Sequence, residues 1–348
     1  MSQNLGLKIK TDEYHPIGKY QIIDQGQEAV AGYSDLEDGV FENVPAIVFG
    51  DHTRIVKYVD QPFFLGADGV KVLRSRFKDA NYRYLYYALK SVKIPNTGYN
   101  RHFKWLKEAK IYYPNSEEQS KIVLILDEIS SVIEHRQRQL QKLDELVKAR
   151  FIELFGDMFL NSKAWKKQAL DSLADVVSGI TKGRKTKEPQ LIEVPYMAVS
   201  NVKDGYIDWT TVKTIQATQQ EIEQYRLLPD DVLMTEGGDP DKLGRGAILK
   251  EPLQNCIHQN HIFRVRLNES LILPAFFEEY LKHQKAKRYF PGCAKQTTGI
   301  ASINMRQLKA LPVLLPPLEL QEQFAAFVEQ TDKSKVAVQT ALRKKGII

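Results

Sequence analysis

A long heptad pattern constrains the fold of this chain more than any other feature. Over residues 117–155, apolar or long-stemmed side chains recur at alternating spacings of four and three, and no proline or glycine interrupts them. Asn115 or Ser116 can cap the start of such a helix, and Gly156 is placed to end it. At about 1.5 Å per residue, the pattern predicts a rod on the order of 55–60 Å long. The predicted seam positions are Ile122, Leu126, Ile129, Ile133, Arg136, Leu140, Leu143, Val147 and Arg150.

A seam of this length needs a second helix to cover it, because an isolated apolar stripe is not stable in water. A weaker helical pattern follows Pro316 and Pro317 and runs over residues 318–345. The alternative is a core helix inside one globule. The length of the pattern and its polar face, which includes Glu134, Arg138 and Lys148, favour a coiled coil.

The two helical patterns begin in similar ways and predict an internal repeat. In this alignment, Glu118 and Gln119 correspond to Glu322 and Gln323. Each helix follows a segment with short β-rich runs, turns rich in Gly, Asn and Asp, and a short helix. One globular segment plus one helix therefore forms the predicted repeat unit. The repeat is incomplete, because residues 169–179 have no counterpart in the first copy and the second helix is shorter than the first.

The charge of the chain is divided by segment. Its formal net charge is +6, with +3 in residues 1–113, −3 in 114–157, +5 in 158–310 and +1 in 311–348. Positive segments attract a polyanion, and the acidic segment between them repels it. Ordinary scatter of surface charge explains the same totals, so charge alone leaves both interpretations open.

Composition excludes several classes of protein. Two cysteines cannot provide a disulfide framework or a tetrahedral zinc site by themselves. No apolar run reaches the roughly 18 residues that a membrane span needs, and the first ten residues lack a signal-peptide core. An intracellular, cytoplasmic protein without membrane contact is the simplest interpretation.

Several stretches resemble a known family, the specificity subunit of type I restriction–modification enzymes. They are PNSEEQ (114–119), IVLILDEI (122–129), RQRQL (136–140), LDELVK (143–148), RFIELFGD (150–157), LPVLLPP (311–317) and LQEQ (320–323). The resemblance covers nearly the whole chain in architecture, but it is specific only in the two helical regions.

This resemblance implies an α+β fold with two β-rich target recognition domains separated by long antiparallel coiled-coil helices in a pseudo-twofold repeat. The implied domains are 1–113 (a first recognition domain that is incomplete at its N-terminus), 114–157 (the central helix), 158–313 (the second recognition domain) and 314–348 (a shortened C-terminal helix). Each domain would read one half of a split target in double-stranded DNA, and the helices would set the spacing. The departures at both ends leave two alternatives: a second specificity chain completes the repeat, or the first domain is inert.

The resemblance also implies a division of labour. Modification (methyltransferase) subunits and motor-nuclease subunits would dock on this chain and carry out the chemistry. The chain itself would bind no cofactor and no metal, with S-adenosylmethionine, ATP and Mg²⁺ in the partner subunits. No motif for methyl transfer, nucleotide binding or nuclease activity stands out in the sequence, so we expect no catalytic residues.

Candidate DNA contacts are the cations and amides of loops, because cations grip phosphates and Gln or Asn pairs with adenine. The densest basic loop is KGRKTK (182–187), with four cations in six residues. A solvated surface is the alternative for each of these residues. The predicted contacts are Lys182, Arg184, Lys185, Lys187, Lys242, Arg245, Gln259, Asn260, Lys285, Arg288, Lys295 and Gln296 in the second segment, and His52, Arg54, Lys57, Asn100 and Arg101 in the first.

Two other functions compete with DNA recognition. The chain could be a coiled-coil protein–protein scaffold, whose association would not weaken as salt rises. It could also be a stand-alone nuclease or methyltransferase, which would act without partners.

Overall fold

The structure, a computed structural model, describes residues 7–66, 69–185, 190–239, 243–297 and 300–344. The chain divides into two compact units, a first unit (Met1–His135) and a second unit (Arg136–Ile348). Both units combine helices with β-sheets, so the α+β class predicted from the sequence is confirmed. Among the described residues, no helix combines the length and the apolar character that crossing a bilayer requires.

The first unit contains two small sheets. One has the strand order β1-β6-β2-β3 and the other has the order β5-β4-β7, in which β4 is central and antiparallel to both neighbours. Strand β6 buries all of its side chains, so both faces of its sheet are covered at this position. The strands are β1 (Lys8–Ile9), β2 (Tyr20–Ile23), β3 (Gly32–Ser34), β4 (Ala46–Gly50), β5 (Val56–Val59), β6 (Phe63–Gly66) and β7 (Val70–Leu73).

Helices close this unit. They are α1 (Tyr82–Lys90), α2 (Phe103–Glu108) and the first half of α3 (Ser116–Phe155). Asn81 caps α1 by accepting a hydrogen bond from the Tyr84 amide at 3.0 Å. The α1 helix is held on α3 by Asp127, which accepts hydrogen bonds from Arg83 Nε at 2.7 Å and from Tyr87 Oη at 2.5 Å. Arg83 and Tyr87 therefore anchor α1 on α3.

The second unit contains twelve strands and five helices of its own among the described residues. Its central sheet has the order β14-β12-β16-β9. The strands are β8 (Lys166–Ala169), β9 (Ala174–Ser178), β10 (Ile192–Met197), β11 (Lys213–Ala217), β12 (Val232–Thr235), β13 (Gly237–Gly238), β14 (Gly246–Ile248), β15 (Ile257–His258), β16 (Ile262–Leu267), β17 (Lys295–Thr297), β18 (Ile300–Ser302) and β19 (Pro312–Leu315). The helices that follow α3 are α4 (Gln219–Tyr225), α5 (Pro274–Lys282), α6 (Gln284–Cys293), α7 (Met305–Lys309) and α8 (Leu318–Lys344), of which α4–α7 are short.

The end of α3 packs antiparallel to α8 within the second unit. Lys335 pairs with Asp144 at 2.7 Å, and further along α3 the Phe151 ring lies 5.3 Å from that of Phe324. Residue numbers thus rise on one helix as they fall on the other. Phe151 also stacks on Phe276 of α5 with a centroid distance of 5.5 Å. This aromatic cluster joins both helices to the core of the second unit.

The predicted ends of the long helix are confirmed. Asn115, one of the two caps considered, accepts a hydrogen bond from the Glu118 amide at 2.9 Å. Gly156 adopts φ +74°, a left-handed conformation that ends a helix without a steric penalty, and its amide donates to the Ile152 carbonyl at 2.7 Å.

Burial along the predicted seam is uneven. Of the seven apolar seam residues only Val147 is buried, whereas Ile129 is 38% exposed. The other five are half-buried: Ile122, Leu126, Ile133, Leu140 and Leu143. Exposed apolar residues beside the seam include Leu124 and Ile125. Within the described part of each unit, the seam is therefore only partly covered.

The repeat is present, but its register differs by two positions from the one that letter matching predicts. The first residue of α3, Ser116, corresponds to the first residue of α8, Leu318, and the same shift aligns the starts of α2 and α7. The side-chain amide of Gln119 donates to the Pro114 carbonyl at 2.8 Å, and that of Gln321 donates to the Pro316 carbonyl at 2.9 Å. Gln321, and not Gln323, is the counterpart of Gln119. Letter matching gave the wrong pair because both glutamines occur in the same short motif.

Candidate nucleic-acid interface

Strand register collects three loops at one end of the central sheet in the second unit. Thr235 at the end of β12 lies opposite Ile262 at the start of β16, and Ser178 at the end of β9 lies opposite Phe263. The loops that follow β9, follow β12 and precede β16 therefore emerge together. We call this loop end of the second unit its reading end; it comprises residues 179–185, 236–239, 243–245 and 258–261.

The loop after β9 carries exposed cations. Lys182 and Lys185 are exposed, and in the described part of the chain neither has a salt-bridge partner. Gly183 between them adopts φ +75°, and a Cβ placed there would meet no atom within 4 Å. An open glycine turn flanked by two free ammonium groups allows a phosphate backbone to approach closely.

Arg184 in the same loop is not free. Its guanidinium makes a two-pronged pair with the Glu221 carboxylate, and Nη2 also donates to the Gln216 carbonyl at 3.1 Å. The hydrogen bond to Glu221 raises the pKa of Arg184, and the same bond lowers the pKa of Glu221. Glu221 is itself fixed, because it accepts from the Thr218 amide at 2.9 Å in a capping box. Arg184 therefore positions the loop on α4.

Gln259 and Asn260 lie directly beside this loop. The Asn260 amide donates to the Ile180 carbonyl at 3.0 Å, and the Ile180 amide donates to the His258 carbonyl at 2.8 Å. Both side chains are half-buried, and among the described residues neither side-chain amide has a hydrogen-bond partner. The structure thus brings two unpaired amides, of the kind that can recognise adenine edges, next to a loop that carries two exposed ammonium groups.

The loop after β12 adds a second group of polar side chains. Glu236 accepts a hydrogen bond from the His261 ring at 2.5 Å, which connects this loop to the start of β16. Arg245 lies near Gly238, with 3.8 Å between its Nη2 atom and a Cβ built on that glycine. Lys295 is exposed at the start of β17, whose partner β18 also pairs with β13. Lys295 therefore lies close to the reading end, to which Arg245 already belongs.

The first unit has an equivalent end on the sheet β5-β4-β7. Gly50 at the end of β4 lies opposite Val70 at the start of β7. His52 follows β4, and its ring stacks on Tyr99 with centroids 4.6 Å apart and planes inclined by 9°. Tyr99 is 86% exposed, and it is followed by Asn100 and Arg101, both exposed. We call residues 51–54 and 96–101 the reading end of the first unit.

A buried pair holds these two loops together. Asp51 is 2% exposed and its carboxylate accepts a hydrogen bond from the Phe103 amide at 2.7 Å. His102 is fully buried, its amide donates to the Asp51 carbonyl at 2.8 Å, and its Nδ1 lies 3.0 Å from the same oxygen. These hydrogen bonds fix the backbone of the loop that carries the exposed Tyr99 ring.

Two predicted contacts of the first unit change their role. The Lys57 side chain is 8% exposed, and its ammonium is held by Asp24 Oδ1 at 3.2 Å and by the Glu28 carbonyl at 2.6 Å. A buried and paired ammonium cannot reach a phosphate, so Lys57 is withdrawn from the predicted contacts. Arg54 is half-buried with φ +65° and donates to the Ile94 carbonyl at 3.4 Å, which ties the two loops of this end.

The remaining predicted contacts lie elsewhere or outside the described part. The Arg288 guanidinium lies 4.5 Å from the centre of the Phe159 ring, just beyond the end of α3, so it does not join the reading end. Lys187 and Lys242 lie outside the described residues, as do the side chains of Lys285 and Gln296.

Sequence patterns gave no signal for three features of these sites. They are the Tyr99 ring stacked on His52, the Asp51–His102 pair beneath it, and the Glu221 carboxylate that neutralises Arg184. Each depends on residues brought together from separate parts of the chain. Among the described residues, no group of three or more His, Cys, Asp or Glu side chains could hold a metal ion.

Comparison with known families identifies the chain. The model of the type I restriction modification DNA specificity domain matches it twice, over residues 4–145 and 162–345. The chain belongs to this family. The two matches together cover most of the sequence and correspond to the two copies of the repeat.

Individual relatives of this family match shorter stretches. One is a Methanocaldococcus jannaschii protein with the provisional name type I restriction enzyme MjaX specificity subunit, 29% identical over 48% of this chain and 39% of that protein. Another is the type I restriction enzyme EcoKI specificity subunit of Escherichia coli, 28% identical over 39% of this chain and 30% of that protein. Each match thus spans well under half of the relative's length.

A solved structure agrees in fold. The S subunit of a type I restriction-modification system from M. genitalium superposes with a TM-score of 0.55 at 18% identity, covering 97% of this chain and 88% of that one. This likeness extends over both units and supports the family's fold for the whole chain.

Proposed function

We propose that the chain is a DNA sequence-specificity subunit of a type I restriction–modification complex, and that each unit reads one half of a bipartite target in double-stranded DNA. The observation that carries the proposal is the pair of reading ends. In both units, exposed cations and side-chain amides lie on loops at the end of a sheet whose central strand is antiparallel to both of its neighbours. Among the described residues the amides of Gln259 and Asn260 are unpaired, whereas the Asn100 amide donates to the Thr97 carbonyl. Family membership supports the same assignment.

Each reading end has the two kinds of group that sequence recognition needs. In the second unit, Lys182 and Lys185 grip phosphates, and Gln259 and Asn260 read base edges. In the first unit, Arg101 and Asn100 take these parts beside the exposed Tyr99 ring. The recognition domains are residues 1–113 and 158–313, and the helices α3 and α8 of the segments 114–157 and 314–348 set the distance between the half-sites.

Chemistry belongs to partner subunits in this proposal. Modification subunits and motor-nuclease subunits assemble with the chain and supply S-adenosylmethionine, ATP and Mg²⁺ in their own active sites. The chain itself recognises the target sequence and acts as the scaffold on which the other subunits assemble, and it has no catalytic residues. Exposed apolar side chains on α3, among them Leu124 and Ile125, are available for subunit contacts.

The central experiment selects preferred duplexes from a random pool with the complex of this chain and its modification subunit. We expect a split target with two specified halves. Asn260→Ala should relax base preference in one half only, and Asn100→Ala should relax it in the other. Loss of preference in both halves from either variant, or no sequence preference in the complex, would refute bipartite reading.

Salt dependence tests the phosphate contacts separately. Lys185→Ala should weaken binding to all duplexes alike and reduce the slope of log affinity against log salt by about one. Lys333→Ala removes the same charge from an exposed position on α8 and is the matched control. Association that does not weaken as salt rises would instead favour a protein–protein scaffold.

A further inference from the structure

The two units differ at one place where the repeat predicts that they should agree. In the second unit, residues 166–178 form β8, a short 3-10 turn (Leu170–Ser172) and β9. We call this stretch the opening segment. Strand β8 pairs with β19, just before α8, and β9 pairs with β16 at the edge of the central sheet. The opening segment thus completes two sheets at once.

The first unit lacks both pairings. In the alignment that matches Ser116 with Leu318, residues 110–113 stand at the place of β19, and among the described residues they pair with no strand. Strand β7 stands at the place of β16, since each is an antiparallel neighbour of its central strand. In the described part of the chain, β7 pairs only with β4, so its other edge has no strand partner. Unpaired strand edges of this kind accept an added strand.

An apolar groove lies between these two unpaired edges. It has a volume of about 580 Å³, and its lining includes Leu73, Phe77, Leu85, Leu106, Ile111 and Tyr113. We call it the first-unit groove. Phe77 is 67% exposed and stacks on Tyr113, which is 41% exposed. Large aromatic rings left open to solvent in this way are typical of a surface that a partner covers.

In the second unit, two leucines of the opening segment fill the corresponding place. Leu170 and Leu173 are fully buried in the main core, where Leu308 stands at the position of Leu106. The Leu170 amide donates to the Leu311 carbonyl at 3.0 Å. The second unit therefore shows the chemistry that fits the first-unit groove: a short strand, a tight turn with two leucines three residues apart, and a second strand.

Charge adds an independent match. In the second unit, Asp171 of the opening segment pairs with Lys309 of α7 at 2.9 Å. In the same alignment, the counterpart of Lys309 is Lys107 of α2, which is exposed. Its ammonium lies 5.0 Å from the centre of the Phe103 ring, and among the described residues it has no carboxylate partner. Lys107 is placed to receive an acidic residue in the turn of an incoming segment.

No described stretch of the chain is available to fill the groove. The opening segment of the second unit is already paired with β19 and β16. At the start of the chain, Lys8–Ile9 pairs in parallel with β6 in the other sheet of the first unit, and the Leu7 amide donates to the Gly39 carbonyl at 2.9 Å.

We propose that the first-unit groove binds the opening segment of a recognition unit carried by another polypeptide, which adds one strand to residues 110–113 and one to β7. This inference rests on the internal repeat and not on DNA binding. A partner chain that supplies a strand, two leucines and an acidic turn residue would complete the first unit in the way that residues 166–178 complete the second.

The experiment uses the full chain and a fluorescein-labelled synthetic peptide with the sequence of residues 163–180, measured by fluorescence anisotropy without DNA. We expect saturable binding with one peptide per chain. A peptide in which Leu170 and Leu173 are both replaced by Asp should bind at least tenfold more weakly. Absence of saturable binding, or equal binding of the two peptides, would overturn the proposal.

A charge-reversal experiment tests whether the peptide binds in the first-unit groove. The Asp171→Lys peptide should bind about two- to fivefold more weakly to the unchanged chain, as expected for an exposed ion pair, and Lys107→Asp should restore its binding. Lys107 is exposed, so this variant leaves the fold intact. Hydrogen exchange on the same complex should slow at residues 109–113. Faster exchange confined to residues 166–178, with no slowing at residues 109–113, would show displacement of the chain's own opening segment and would contradict a site in the first unit.

Discussion

Phe151 provides the sharpest test of how the long helix is built into the second unit. It is 1% exposed, and its ring lies 4.9 Å from Phe155, 5.5 Å from Phe276 and 5.3 Å from Phe324, measured between centroids. One side chain thus connects the end of α3 with α5 and α8. Phe151→Ala removes the ring from all three contacts and leaves a cavity among rigid aromatic neighbours.

The size of the effect follows from burial. A buried aromatic side chain covers roughly 150–250 Å², which at roughly 25 cal/mol per Å² is about 4–6 kcal/mol, and alanine retains part of this. Core Phe→Ala changes cost about 3–5 kcal/mol. We therefore expect Phe151→Ala to lower the free energy of unfolding of the second unit by about 4 kcal/mol.

Hydrogen exchange of the α3 amides in residues 147–155 is the appropriate assay, because it reports on the second unit alone in a chain with two units. The matched control is Ile152→Ala in the same helical turn, where the side chain is 53% exposed and the change should stay within about 0.5 kcal/mol. If the two variants lose stability equally, the aromatic cluster does not hold α3 and the described packing is refuted.

Three further predictions concern single polar side chains, each measured as the free energy of unfolding. Gln321→Met should cost about 2–4 kcal/mol, because the buried amide serves three backbone groups, whereas Gln323→Met at an exposed position should be nearly neutral. Burial lowers the pKa of His258 to about 4, below the value of about 6.5 in the unfolded chain, so about 3 kcal/mol of stability is present above pH 6.5 and is lost as the pH falls to 4. His258→Leu should flatten this part of the plot of stability against pH. An unchanged plot would contradict the burial of the histidine. Asn115→Ala should cost about 1 kcal/mol through loss of the helix cap, and Ser116→Ala should cost less; the reverse order would assign the cap to the serine.

The repeat shows which correspondences between the two halves can be read from the sequence and which cannot. The similarity of the two helix starts was visible in the sequence, because both carry a proline followed by acidic residues and glutamine. The correct pairing of Gln119 with Gln321 required the hydrogen bonds that each makes to the carbonyl of a preceding proline, Pro114 or Pro316. A short motif with two glutamines fits two registers equally well until the side-chain partners are known.

The predicted DNA contacts divide in the same way. Sequence composition located the basic loop after β9 and the polar residues before β16, and register then brought both to one end of the sheet. Composition could not tell that Lys182 and Lys185 are free while Arg184 is neutralised by Glu221, or that Lys57 is buried on Asp24. These DNA contacts stay predictions until binding is measured.

By itself, the sequence determined what depends on neighbours along the chain. Heptad spacing, a capping asparagine and a terminal glycine specify the α3 helix through contacts within a few residues, and the repeated motifs specify two similar units. Tertiary structure alone decided which cations stay exposed, which loops share a sheet end, and that residues 110–113 are left without a strand partner among the described residues. Those outcomes depend on burial and pairing between residues far apart in the sequence, and local sequence patterns do not predict them.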